Sequence, residues 1–481
     1  MNMNLTPIKY LLIVTLMTCC GSCKKLVETT PPATNLVSES VYASDATASA
    51  AVTGIYEQMM EGSKSIGGPQ SMSSLLAVTA DEFNVYPNSN QTLLDAYSNS
   101  VSSTSTSVLW NELYNYIYLS NAAIEGLSKH TGVTSSMRDQ LLGESKFIRA
   151  FIHFYLVNIF GDVPLVLTSD YRVNESIART PSSLIYQQII ADLKDAQLLL
   201  SDNYLTPNGS ITSERVRPNK AAATALLARA YLYTQKWDST AIQATAIINS
   251  VSEYNLTSLD SAFLKNSNEA IWQLQPVQPG YNTYDGYTYV LTPYGPNPFV
   301  WPFYLSKQLL SAFETGDSRF TNWVGLFTSG TDSFYFPYKY KIKGGPLSTP
   351  LNEYLMVLRL SEQYLIRAEA EANGAPGGSG AAITDLNIIR NRAGLPSYAG
   401  ATDPISVLNA IYHERQVELF AEWGHRWLDL KRTGTVNSVM GSPGNVCQFK
   451  GGTWSDDWQV YPVPRADIVA DPNLTQNPGY N

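Results

Sequence analysis

Apolar residues recur at helical spacing over much of this chain. The first such stretch runs from Val41 to Met60, alanine-rich and ending on Ile55, Tyr56 and Met59. A second spans Trp110 to Ile124. The third, from about Met137 to Phe160, carries two stripes: Leu141, Ile148, Ile152, Tyr155 and Ile159 on one, Phe147, Phe151 and Phe154 on the other. A helix that is apolar on two faces packs between neighbours rather than lying on a surface. Its end is predicted at Gly161-Asp-Val-Pro164, where glycine permits the cap and proline forbids continuation.

Helical hairpins follow. Pro218 to Tyr233 reads as an alanine-rich helix, Gln235-Lys-Trp237 as a break, and Asp238 as the cap of a second helix through Ile248. The plan returns at Leu360 to Ala372, a glycine-rich turn, and Ala381 to Arg392. Small residues allow close approach of paired helices, and large aromatics fill the gap. This is similar to tetratricopeptide repeats, without a clean period of about 34 residues. Trp110, Trp237 and Trp423 fall on helix stripes and are assigned to the core. Between the hairpins, roughly Val251 to Thr349, helical periodicity gives way to Tyr, Trp, Pro, Gly and Asn. Loops with short strands are predicted there. The expected fold is therefore mostly α, a scaffold of tetratricopeptide-like hairpins with a loop-rich insertion at about 251–349. Binding is expected on the insertion, because loops on a rigid scaffold carry function.

The N-terminus changes the picture. Lys9 precedes a short apolar run, Tyr10 to Met17, and then Gly21-Ser22-Cys23. The run is too short for the roughly 20 apolar residues that cross a bilayer and fits a signal peptide. The arrangement resembles a bacterial lipoprotein signal, so residues 1–22 are expected to be removed and Cys23 to carry lipid. Residues 23–40 then read as a tether and 41–481 as the ligand-binding domain. Of four cysteines this leaves only Cys447 free, which excludes an intramolecular disulfide in the mature chain.

The net charge of −9 comes without any basic run, so nucleic acid is not an expected partner. Charged residues make up 15%, against about 25% in ordinary domains. Polarity comes instead from Ser, Thr, Asn and 30 tyrosines. Catalysis has little to stand on. The four histidines form no His-x-x-x-His pair, and after His413-Glu414 the second zinc-ligand position is Val417. Gly374-Ala-Pro-Gly-Gly-Ser-Gly380 follows a helix, not a strand, and reads as a hairpin turn. Asp81-Glu82 and Asp456-Asp457 are adjacent pairs, whereas two-carboxylate hydrolysis needs groups separated across a cleft. No catalytic residue, metal site or cofactor is expected.

Aromatics are the remaining signal. Flat C–H faces of sugars pack on Tyr and Trp while amides and carboxylates bond the hydroxyls. Tyr281, Tyr284, Tyr287, Tyr294 and Trp301 lie in loop-like sequence and are the candidate ligand contacts, with Tyr289 and Tyr304 nearby. On the helix expected from Ile405 to Trp423, Arg415 falls within an apolar stripe of Leu408, Ile411, Tyr412, Leu419 and Trp423. A buried arginine requires carboxylate partners. Arg415, Glu418 and Glu422 are therefore expected to form one structural ion network.

Several segments in order along the chain resemble the SusD/RagB family. They include Cys23-Lys-Lys-Leu-Val-Glu-Thr-Thr-Pro31, Gly143-Glu-Ser-Lys-Phe-Ile-Arg-Ala-Phe151 and Phe160-Gly-Asp-Val-Pro-Leu165. Further ones are Arg359 to Glu369, Ile389 to Gly394, Glu414 to Phe420, Gly424 to Arg432, and Gln476-Asn-Pro-Gly-Tyr480. The resemblance implies a lipid-anchored surface protein of the outer membrane. Its partners would be an oligosaccharide and a SusC-like TonB-dependent transporter. It also implies that the N-terminal loop residues Asp81, Asn84, Tyr86 and Tyr97 border the ligand site. Peptide binding in the same architecture, and glycoside hydrolysis, are the alternatives.

Overall fold

The computed structural model describes residues 38–61, 65–441 and 445–480. The expected signal peptide, the lipid site at Cys23 and most of the tether lie outside the described residues.

Helices dominate, and their starts follow local chemistry. The Asp45–Met60 helix begins where the Ser44 hydroxyl accepts the Thr47 amide at 3.3 Å. The Lys220–Tyr233 helix begins where Asn219 Oδ1 accepts from the Ala222 amide at 3.0 Å. Ser107–Lys129 and Ser135–Phe160 extend the two predicted long helices, and the latter stops at Gly161, whose φ of +75° suits glycine. Both stripes of Ser135–Phe160 are buried, one face meeting Ser107–Lys129 and another the Ser182–Leu199 helix. That last helix was not among the expected elements.

The two hairpins form as predicted, Lys220–Tyr233 with Trp237–Ile248 and Leu360–Ala372 with Gly378–Arg392, and the first packs on the second. Asp238 is not the cap of its helix. Lys236 holds that position without a side-chain bond, and Asp238 lies in the first turn, where its charge still favours the helix N-terminus. Trp110 and Trp423 are buried as assigned, and Trp237 is half-buried against Ala241, Ala370 and Ala375.

Residues 251–349 hold short helices and strands among loops, but they are not merely an outer decoration. Ala270–Leu274 pairs antiparallel with Leu355–Arg359, both buried throughout, and Trp272 and Trp323 belong to the main core. A hairpin of Val324–Ser329 and Asp332–Pro337 stands further out. A third ladder joins distant parts of the chain: Phe83–Val85 runs antiparallel to Phe303–Leu305, with Asn84 opposite Tyr304.

Buried ions cross-brace the C-terminal half, in two groups rather than one. Glu418 takes Arg319 at 2.9 Å, Arg359 at 2.6 Å and Arg392, while Glu422 takes Lys339 at 2.5 Å and Arg359 at 2.8 Å. Arg415 does not join them. It pairs with Asp429 at 2.7 Å; Asp429 also takes Arg432, which in turn pairs with Glu369. The expectation of one network fails because Arg415 turns to Asp429 on the next helix, His425–Arg432, and the helix that carries Arg415 is Pro404–Glu418, shorter than predicted. Ala421 and Trp423 then take positive φ values of 58° and 47°, so Glu422 does not continue the helical face of Arg415.

Candidate functional site

The Phe83–Val85 and Phe303–Leu305 ladder brings the two sets of predicted ligand contacts to one region. Just beyond it, the Tyr86 amide donates to the Pro302 carbonyl at 2.6 Å, which sets Tyr86 beside the segment carrying Trp301. On the N-terminal side, the Tyr97 hydroxyl donates to Asn84 Oδ1 at 3.1 Å and so orients that amide. Tyr86 and Tyr304 both lean on Phe334 of the outer hairpin, with ring centroids at 6.4 and 5.3 Å.

The insertion side is an aromatic surface. Tyr294 lies parallel to Trp301, with centroids 5.4 Å apart and 10° between planes, and Tyr294 is 71% exposed. Trp301 is half-buried; its indole N–H donates to the Tyr287 carbonyl at 2.9 Å. Tyr287 meets Trp301 and Tyr281 edge-on, and Tyr281 meets Tyr284 at 6.3 Å. Beneath Trp301 and Tyr304 sits a small apolar cluster of Val290, Leu291 and Phe336, separate from the main core. The turn before Trp301 is held by Asn297, whose side chain accepts the Phe299 and Val300 amides and whose own amide donates to the Trp301 carbonyl. Phe299, outside the aromatics that the sequence predicts as contacts, projects from that turn at 86% exposure.

Lys343 closes the surface. Its ammonium stands 3.5 Å from the Trp301 ring centroid and 5.5 Å from that of Tyr294. Its loop is docked by a bond from the Gly345 amide to the Gly280 carbonyl at 2.9 Å. Gly280 has φ +84°, and a Cβ there would come within 2.7 Å of the Gly345 carbonyl, so only glycine fits.

Other predicted residues are placed elsewhere. Asp81 is buried, and Arg426 donates to both of its oxygens at 2.8 and 2.7 Å, so it is a scaffold ion rather than a surface contact. Tyr289 is buried in the main core with its hydroxyl 2.9 Å from that of Ser74. Tyr284 is half-buried and packs on that core beside Gly67. Clefts of about 390 and 520 Å³ lie away from these aromatics, one walled by Tyr56, Pro207 and Val277, the other by Trp110, Tyr114 and Asp471.

Groups capable of chemistry are tied down. His153 and His425 are buried, and desolvation pulls their pKa values down to about 3 and 4. Glu82 lies buried beside Asp81, and burial raises it to about 8. Asp456 and Asp457 sit exposed on the Asp456–Gln459 turn. Cys447 is buried, and burial raises its thiol. No group of three or more His, Cys, Asp or Glu among the described residues is arranged to hold a metal.

This arrangement has relatives. A family profile described as starch-binding and associating with the outer membrane matches residues 34–232, and the SusD family profile matches residues 327–480. SusD-like protein P2 of Formosa agariphila is 27% identical over 78% of this chain and 80% of its own. SusD-like protein P25 of the same organism is 24% identical over 96% of each. Among solved structures, a SusD superfamily protein of Bacteroides vulgatus has a TM-score of 0.76 at 21% identity, covering 91% of this chain and 100% of its own. A laminarin-binding SusD-like protein has a TM-score of 0.71 at 24% identity, over 90% and 99%. With the helical scaffold, the ordered motifs and these matches in agreement, the chain belongs to the SusD/RagB family.

Proposed function

We propose that this chain is a surface carbohydrate-binding protein that captures oligosaccharide without chemistry and delivers it to a SusC-like TonB-dependent transporter. The observation that carries this reading is the parallel Tyr294–Trp301 pair, exposed on one flank and pinned to the backbone on the other. Such a pair offers flat apolar area for sugar faces and loses little rotamer entropy on binding. The amide of Asn84, oriented by Tyr97, supplies donor and acceptor capacity at the rim. A related structure that binds laminarin supports a glycan as the ligand class.

Delivery to a transporter and anchorage by Cys23 are part of the same proposal. They rest on family membership and on the Gly21-Ser22-Cys23 junction. Residues 1–22 would act as the signal peptide, and residues 23–40 would tether the fold to the outer membrane from its lipid.

The test is a glycan array followed by titration calorimetry on the best binder. Saturable binding with the sugar recovered intact is expected, and Trp301→Ala should weaken it. Release of shorter products would point to a hydrolase, and binding only to a peptide array would replace the ligand class. For the anchor, Cys23→Ala should abolish acylation and shift the protein out of the outer-membrane fraction. Co-purification of a large β-barrel receptor in mild detergent is the expected sign of the partner.

A further inference from the structure

The platform is not electrically neutral. Lys343 is half-buried, its ammonium lies over the Trp301 ring, and its hydrogen bond is a single long one to the Thr292 carbonyl at 3.3 Å. An ammonium has three protons to donate, and no Asp or Glu among the described residues pairs with this one. Nearby lysines on the same segment are treated differently. Lys339 is paired with Glu422 at 2.5 Å, and Lys341 donates to the Tyr338 and Asn322 carbonyls. Burial holds the pKa of Lys343 down to about 8, with no carboxylate to restore it.

A cation laid across the stacking face of a sugar platform is a poor device for a neutral glycan. It covers apolar ring area and must be pushed aside, losing its cation–π contact. The same cation suits a glycan whose rings stack while a charged substituent meets the ammonium. We infer that the ligand of this platform is an anionic saccharide, bearing a uronate carboxylate or a sulfate ester, and that Lys343 is the residue that selects for it. The inference rests on the platform being the glycan site. Carboxylate and sulfate share the needed chemistry: a full negative charge with several acceptor oxygens, which makes a charge-assisted bond stronger than a hydroxyl would.

Matched glycans separate charge from shape. Oligogalacturonate is compared with its methyl ester, carrageenan oligomers with their desulfated form, and laminarin serves as the neutral reference, all at low salt on the full-length protein. For whichever backbone binds, the charged member should bind at least ten-fold tighter than its neutral partner, and Lys343→Met should remove that difference. Trp301→Ala should weaken both members alike. Preference for the carboxylate or the sulfate series identifies the source of the charge.

Equal affinity within each pair, or a preference for the charged member that survives Lys343→Met, would overturn the inference and leave the glycan site standing. Absence of binding to every member, charged and neutral, would overturn both together. Circular dichroism and melting temperature of Lys343→Met, expected to match the parent because the residue is half-exposed, show that a lost preference is not lost folding.

Discussion

Asp81 and Arg426, 345 positions apart, meet in a two-pronged ion pair at 2.8 and 2.7 Å. The carboxylate lies beneath the N-terminal rim of the site but is not open to it. Family resemblance placed Asp81 at the ligand; the geometry assigns it to holding the rim in place. Asp81→Ala leaves the Arg426 charge buried without its partner, which costs on the order of 3–5 kcal/mol. The expected outcome is a large drop in denaturation midpoint, with glycan affinity preserved at temperatures where the variant is folded. Urea titration and calorimetry on the same preparation check both halves.

Trp301 packs on the cluster beneath it and is proposed to face the ligand as well, and its variants should separate the two roles. Trp301→Ala removes the ring partner of Tyr294 and the indole bond to the Tyr287 carbonyl. Affinity should fall by roughly five- to 150-fold, the size of about 1–3 kcal/mol for a stacking aromatic. Trp301→Phe keeps a ring but not the bond, so it should lie between the parent and the alanine variant. A melting temperature that falls steeply while binding is intact would instead make Trp301 a plug for the Val290, Leu291 and Phe336 cluster.

Asp285 gives a pH signature. It is buried, Oδ1 has no hydrogen-bond partner among the described residues, and desolvation followed by the nearby Glu422 raises its pKa to about 8. A folded pKa above the unfolded value means the folded state holds the extra proton between roughly pH 4 and pH 8. Stability from this group therefore declines as pH rises through that window. Asp285→Asn should flatten the decline, gaining on the order of a few kcal/mol over the parent at pH 8.5 and little at pH 4. Denaturant curves of both proteins at the two pH values measure it.

Glu418 binds three arginines in the interior, Arg319, Arg359 and Arg392, and these hold its carboxyl well below the usual carboxylate range. Glu418→Ala should cost about 3–5 kcal/mol or prevent folding. Glu418→Gln, which keeps acceptor geometry and loses charge, should be milder. Since a depressed pKa contributes stability above the unfolded value near 4, that contribution should fade as the pH falls below it. Thermal melts of the glutamine variant and the parent between pH 3 and pH 7 would converge toward the acid end.

The helical scaffold was legible because burial imposes a period. The double stripe of Ser135–Phe160 and the alanine faces of both hairpins are written in consecutive residues. The Ser182–Leu199 helix carries the same signal, with Ile185, Ile189, Leu193 and Ala196 buried, yet it went unassigned. It starts after Pro181 with no side-chain cap, and the exposed Leu184 and Leu198 blur its apolar stripe. The partners of Arg415 were not legible. Spacing along a helix selects Glu418, but the partner, Asp429, lies on the next helix, His425–Arg432.

At the site, the aromatics were visible as a composition and the charge was not. Tyr281, Tyr287, Tyr294 and Trp301 do assemble. Asn84, Tyr86 and Tyr97 reach them through one ladder that pairs residues some two hundred positions apart. Lys343 reaches Trp301 from a loop whose Gly345 amide docks on Gly280. That is a tertiary contact between two glycine-rich loops, and no local pattern announces it.

The Val290, Leu291 and Phe336 cluster that floors the platform is not continuous with the main core. Substitutions far apart and without shared partners act nearly independently. The ring-bearing loops can therefore be rewritten over evolutionary time while the helical frame keeps its folding free energy. Substitutions confined to that shallow layer are therefore expected to change what the platform grips at little cost to the helical frame.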